Sequence, residues 1–108
     1  MLFRSQGRIS NLCLGLYSDA CEQALKRVVD FAREHSTAKL GIQLAHSGRK
    51  GSATASFTVR RPLLPEEGAW QPEAPSFIDD GIHTPPAVLD DAGLERIKIG
   101  RASCRERV

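Results

Sequence analysis

A single stretch of this chain, Leu40-Gly41-Ile42-Gln43-Leu44-Ala45, reads as a β-strand. It is short and nearly continuously apolar, the pattern of a strand covered on both faces in a parallel sheet. Such a strand has two edges of backbone N–H and C=O groups that need neighbours, and no other segment here supplies one. A helix is expected before it, at 19–35. Ser18 or Asp19 suits its N-cap, with Glu22 three residues after Asp19 as a weak capping box. Cys21, Leu25, Val28, Val29 and Ala32 recur at helical spacing and form one apolar stripe, expected to lie against residues 40–45. Glu22, Lys26, Arg27, Asp30, Arg33 and Glu34 fill the outer face, and His35-Ser36-Thr37 ends the helix.

Helix, short link and buried strand make half of a β/α repeat. From His46 to Thr84 no periodicity appears, and Pro62, Pro65, Pro72, Pro75 and glycines punctuate the stretch. A loop of about 40 residues is unusual inside a compact domain and is often functional. Asp90 then caps a second helix starting near Asp91, with Gly93 early in it at a cost of about 1 kcal/mol. One strand and about one and a half helices cannot close a core, so the expected fold class is α/β, as a fragment of a larger domain.

The ends read differently from the middle. Ile99-Gly100-Arg101-Ala102-Ser103-Cys104-Arg105-Glu106-Arg107-Val108 lacks the apolar periodicity to continue a helix and looks like the read-through of a common short-read sequencing adapter. Met1-Leu2-Phe3-Arg4-Ser5 looks like the opposite adapter. Residues 1–5 and 99–108 are therefore expected to be non-native and unstructured, leaving 6–98 as the natural segment. The overall charge of +2 follows the same division. Arg4, Arg101, Arg105 and Arg107 against Glu106 leave the ends at +3, whereas residues 6–98 carry 11 basic and 12 acidic side chains. A natural segment at −1 argues against a nucleic-acid partner.

No apolar run approaches the roughly eighteen residues a membrane span needs, and the N-terminus has no apolar signal-peptide region. A cytoplasmic protein with no membrane partner is the expectation. Cys13, Cys21 and Cys104 are odd in number and contain no CxxC pair, fitting neither a disulfide framework nor a zinc site. Reduced thiols and no metal are expected; His35 and His46 with Cys13 match no ligand spacing.

The informative run is Gly41-Ile42-Gln43-Leu44-Ala45-His46-Ser47-Gly48-Arg49-Lys50. In parallel α/β folds ligands gather at the carboxyl ends of strands, and Gln43 lies near that end. Burying an unpaired amide costs on the order of 1–3 kcal/mol, so Gln43 is expected to have partners that both donate and accept. The pyrimidine edge of a flavin supplies that pattern. Neighbouring backbone would satisfy the amide as well, and spacing alone leaves both open. Gly48-Arg49-Lys50-Gly51-Ser52 could cradle an anion but lacks the P-loop spacing, and by itself it reads as a loop with Arg49 and Lys50 as solvated charges.

Taken in order, Gly7-Arg8-Ile9-Ser10, Cys13-Leu14-Gly15-Leu16-Tyr17-Ser18-Asp19, the run from Gly41 to Lys50, Ala74-Pro75-Ser76 and Thr84-Pro85 resemble the Old Yellow Enzyme family of FMN-dependent ene reductases. The likeness is greatest to the bacterial NADPH dehydrogenase and xenobiotic reductase branch and covers nearly all of 6–98. It implies a (β/α)8 TIM barrel, usually about 250 residues, with less than a third present here. The piece would comprise roughly helix 2, strand 3 at 40–45, a long loop and the start of helix 3.

The resemblance also implies FMN as cofactor, NAD(P)H as hydride donor and a small-molecule activated alkene as substrate. It leaves a homo-oligomeric parent open. On this likeness Gln43 hydrogen-bonds the flavin pyrimidine ring, Lys50 lies near the active-site mouth, and His46 is structural. The family's first-strand flavin contacts, substrate-binding histidine pair, proton-donating tyrosine, phosphate-gripping residues and active-site cysteine fall outside this chain. No catalytic residue is therefore expected here, and the fragment itself should be inactive. Phe57-Thr58-Val59-Arg60-Arg61 departs from the family, standing where a tryptophan-containing segment is common. Two other readings compete: a small non-enzymatic binding module with a basic tail, and a piece of a different TIM-barrel enzyme.

Overall fold

A computed structural model describes residues 5–55 and 57–106. The expectations for residues 1–4 and 107–108 lie outside them.

Helix α1 spans Asp19–His35, as its periodicity and cap predict. Ser18 is the N-cap: its Oγ accepts the Cys21 N–H at 3.2 Å and its carbonyl accepts the Glu22 N–H at 3.0 Å. Asp19 and Glu22 in the first turn and Arg33 and His35 in the last complement the helix dipole. Lys26 pairs with Asp30 one turn on. The His35 ring stacks on Phe31, centroids 4.2 Å apart, and its Nδ1 meets the Phe31 carbonyl at 3.0 Å. No residue of α1 is buried. Leu25, Val29 and Ala32 are only partly covered, and Val28 is 64% exposed. The stripe is real, but the layer expected over it is thin: of the stripe, Leu25 borders the same cleft as Ile42 and Leu44.

With so little tertiary support, the cap carries much of the helix. Ser18→Ala should destabilise α1 by about 1 kcal/mol. Helical circular dichroism followed through a urea titration would show it as an earlier transition; an unchanged midpoint would mean the cap contributes nothing.

Residues 40–45 form no strand. The expectation of a barrel strand is corrected for this chain, and the reason is the one its edges predict. A buried strand exists only with neighbours to bond, and none is provided among the described residues. Leu40 and Ile42 are 49% and 44% exposed as a result.

The long loop is where the packing lies. The buried residues Ala53, Ala55, Leu63, Pro72 and Ala74 come from it, and Ser52 and Pro72 are fully enclosed. An antiparallel bridge joins Ala53 to Pro62, and Thr54 N–H and Leu63 N–H reach the carbonyls of Arg61 and Ser52 at 2.9 and 2.8 Å. Two short parallel strands follow, β1 at Glu73–Ala74 and β2 at Ala87–Val88, with Glu73 opposite Ala87 and Ala74 opposite Val88. Trp70 ties the loop to the N-terminal segment. Its backbone N–H donates to Ser52 Oγ at 2.9 Å and its indole N–H to the Gln6 carbonyl at 3.1 Å. The Arg8 guanidinium lies over both Trp70 and Tyr17, 4.9 and 5.6 Å from the ring centroids.

Helix α2 runs Asp91–Glu106. Asp90 caps it as expected: Oδ1 accepts the Gly93 N–H at 2.7 Å and the carbonyl accepts the Leu94 N–H at 2.9 Å. Gly93 is buried, and a Cβ there would stand 2.8 Å from Leu89 Cδ2 and 3.1 Å from the capping Asp90 oxygen. The expectation that 99–108 is unstructured is corrected for 99–106, which continue α2. Once Asp90 has nucleated the helix, each added residue gains a backbone bond at little further cost, so arginine, alanine and glutamate suffice without apolar periodicity. Two tail side chains also bond the rest of the chain: Arg101 donates to the Leu44 carbonyl at 2.8 Å and Cys104 Sγ to the Leu16 carbonyl at 3.4 Å. Neither described helix is long and apolar enough to cross a membrane.

Candidate functional site

Two segments that stand some forty residues apart form one unit. Ser47 N–H donates to the Gly7 carbonyl at 2.9 Å, Ser47 Oγ to the Arg8 carbonyl at 2.8 Å, and Ala53 N–H to the Ile9 carbonyl at 2.9 Å. The approach is close enough to require glycine. A Cβ on Gly51 would lie 2.7 Å from Ser47 Oγ and 3.2 Å from the Arg8 carbonyl oxygen. Gly48 has φ +58, the left-handed region that favours glycine, and starts a 3-10 turn over Gly48–Lys50. The turn closes with Gly51 N–H on the Gly48 carbonyl at 3.1 Å.

Beside this unit is a cleft of about 390 Å³. Leu16, Ile42, Leu44 and Ile97 give it apolar walls, and Gln43 and His46 add polar groups. Gln43 is exposed, which corrects the expectation of a buried amide: without flanking strands nothing encloses it. Among the described residues its amide has no hydrogen-bond partner. Lys50 is exposed at the end of the Gly48–Lys50 turn and does not border the cleft that Gln43 lines.

His46 is partly buried, and its Nδ1 accepts the Gly48 N–H at 3.1 Å, a structural use that fixes the turn. Burial lowers its pKa; Glu73 pushes it back up, and Arg101 and Arg96 lower it further. Cys13 borders the cleft. Burial raises the pKa of its thiol, but hydrogen bonds from Ser10, at 3.4 Å from the backbone N–H and 3.6 Å from the hydroxyl, together with Ile9 and Arg8, bring it below the ordinary value. Cys13, Cys21 and Cys104 are all free thiols. The described residues contain no group of three or more His, Cys, Asp or Glu able to hold a metal ion.

Sequence reasoning missed a second cluster. Arg49, expected to be a solvated charge, pairs with Asp80 Oδ2. The same oxygen meets His83 Nδ1 at 2.8 Å, while Asp80 Oδ1 accepts the backbone N–H groups of Ile82 and His83 at 3.0 and 2.9 Å. The only trace of this in the sequence is an aspartate followed three residues later by a histidine in a glycine-containing turn; Arg49 is 31 residues away. The His83 backbone N–H, then its ring, and the Ile82 N–H hold the Asp80 carboxyl well below the usual carboxylate range. Glu67, held by a two-pronged Arg61 contact at 2.7 and 2.8 Å and by the Leu64 N–H, falls to about 2.

The shifts of His46, Glu67 and Asp80 point one way. A carboxylate or histidine whose folded pKa lies below its unfolded value contributes stability above the unfolded value, and loses it as pH falls toward the folded one. The chain should be most stable above the ordinary histidine value of 6.5, soften below it as His46 protonates, and lose more below about 4.5 as Glu67 and Asp80 follow. Urea midpoints measured between pH 2 and 8 should rise monotonically with pH in this range; a maximum near pH 5 would contradict the assignment.

No family model matches the chain. The proteins it is similar to are oxidoreductases named for flavin or nicotinamide chemistry. An NADH:flavin oxidoreductase of Gibberella zeae is 33% identical over 95 residues, 87% of this chain and 21% of that protein. An NADPH dehydrogenase of Listeria monocytogenes is 59% identical over 66 residues, 61% of this chain and 19% of that protein. An NADPH dehydrogenase of a Geobacillus species is 50% identical over 46 residues, 43% of this chain and 13% of that protein. The chain thus spans about a fifth of the length of the first two relatives.

Proposed function

We propose that residues 6–98 are part of a cytoplasmic FMN-dependent NAD(P)H oxidoreductase of the Old Yellow Enzyme type, an ene reductase built on a (β/α)8 barrel. Residues 1–5 and 99–108 are, in this proposal, adapter-derived. The observation that carries the reading is Gln43: an amide able to donate and accept, unpartnered among the described residues, on the wall of a cleft with Leu16, Ile42, Leu44 and Ile97. Similarity to named oxidoreductases supports the same reading. The donor set fits one edge of a flavin, since a single amide can serve adjacent N–H and carbonyl groups of the pyrimidine ring.

When bound, FMN would supply hydride chemistry, accepting it from a nicotinamide and delivering it to the β-carbon of an activated alkene. The part of this chain is to bind and orient. Gln43 fixes the ring edge. Ser47 holds the segment after it to the Gly7 and Arg8 carbonyls, and His46 accepts the Gly48 N–H, which together keep the Gln43 backbone in place. Lys50, on the Gly48–Lys50 turn, stands at the mouth of the completed site, where its ammonium meets substrate or solvent. The family's proton-donating tyrosine and phosphate-gripping residues fall outside this chain on the likeness, so the 108-residue chain by itself is inactive in this proposal.

The test is a full-length protein carrying residues 6–98. Purified, it should be yellow with bound FMN and should oxidise NADPH when an α,β-unsaturated ketone is present, with the alkene reduced. A colourless protein inert to both would favour a different barrel enzyme. An independently folded, ligand-binding 108-residue chain would favour the small-module reading.

A further inference from the structure

The Gly48–Lys50 turn is held from two sides. On one, Ser47 bonds the Gly7 and Arg8 carbonyls of the N-terminal segment, and His46 Nδ1 accepts the Gly48 N–H. On the other stands the cluster of Arg49, Asp80 and His83, which no part of the proposed chemistry uses. Its geometry is that of a clamp. One carboxylate oxygen of Asp80 is shared by the Arg49 guanidinium and the His83 ring, and the other accepts two backbone N–H groups of its own turn. The His83 side chain is 8% exposed, so the ring is fixed by packing, and its Nδ1–H points at Asp80. Its Nε2 is buried and has no partner among the described residues, which leaves Nδ1 as the nitrogen that donates. Arg49 is thereby held to the loop at 79–83, immediately before Lys50 in the chain.

We propose that Asp80 and His83 are positioning residues for the Gly48–Lys50 turn, acting through Arg49 to set the direction in which Lys50 projects. This deepens the functional reading above and rests on it only for the importance of Lys50; the clamp itself is a property of the chain without cofactor. A packed imidazole fixes the carboxylate, the carboxylate fixes a planar guanidinium, and the guanidinium fixes the turn. Such chains of contacts transmit order because each member has few alternative partners.

The experiment uses the 108-residue chain as it stands. Amide exchange is followed at Gly51, whose N–H closes the turn on Gly48, and at Trp70, which reports the rest of the loop. Asp80→Asn and Arg49→Ala should each speed exchange at Gly51 by on the order of tenfold and leave Trp70 unchanged. The double variant should be no faster than the faster single one, since both remove the same link. The nitrogen and proton shifts of residues 48–51 should also follow a carboxyl titration at acid pH in the parent chain, and lose that pH response in Asp80→Asn. If Asp80→Asn unfolds the chain, Arg49→Ala decides alone, because its side chain is 34% exposed and can be removed without opening a core. Additive effects, equal acceleration at Trp70, or no change at Gly51 would overturn the clamp. None of these outcomes depends on flavin, so the clamp and the cofactor reading fail separately.

Discussion

Replacing Gln43 with leucine in a full-length homologous enzyme carrying this segment is expected to weaken FMN binding about tenfold to hundredfold. Leucine keeps the bulk of glutamine but has no polar atom. A flavin donor or acceptor left facing it loses its partner in a site closed to water, which costs about 1–3 kcal/mol, and each 1.4 kcal/mol is about tenfold in affinity. The effect reaches beyond affinity. Hydrogen bonds at the pyrimidine edge favour the reduced ring more than the oxidised one, since reduction places negative charge there. The midpoint potential should therefore fall in the variant. Titrating the apo-protein with FMN and measuring the potential tests both. A variant with unchanged affinity and unchanged potential would show that Gln43 is satisfied by protein groups in the barrel and has no part in binding the cofactor.

The second large effect is expected in the isolated chain. Titrated with FMN it should show no saturable binding up to millimolar concentration, a weakening of on the order of a thousandfold or more if a complete site holds the cofactor in the micromolar range. The cleft is large enough for part of an aromatic ring system, but Gln43 is exposed at its wall and one amide contact cannot offset the loss of translational and rotational freedom on association. Quenching of flavin fluorescence measures it directly. Stoichiometric binding by the 108-residue chain would sink the view that most of the site is supplied from elsewhere.

How much of this was legible depended on the range of the interactions. Helix α1 was read with its boundaries because everything that makes it is local: the Ser18 cap, acidic first turn, basic last turn and a 3.6-residue stripe lie within the helix or next to it. The start of α2 at Asp90 was legible for the same reason. The far end of α2 is not, because it carries no apolar periodicity, and a helix already nucleated needs only residues that do not stop it. The loop misled in the opposite direction. Its enclosed residues, among them Ser52, Ala53, Pro72 and Ala74, are small or polar and carry no period, yet the backbone bonds they make place them inside.

The candidate site divides along the same line. Sequence by itself determined that an amide occupies an apolar run at Gln43 and that two capped helices flank a long loop. Those are properties of residue type and near neighbours. Only the tertiary structure decided that Ser47 reaches the Gly7 and Arg8 carbonyls, that Arg49 pairs with Asp80 rather than with water, and that Gln43 stands exposed at a cleft. Tertiary structure also decided that residues 40–45 stay unpaired. A strand's identity is written in its side chains, but its hydrogen bonds belong to its neighbours, and no segment among the described residues supplies them.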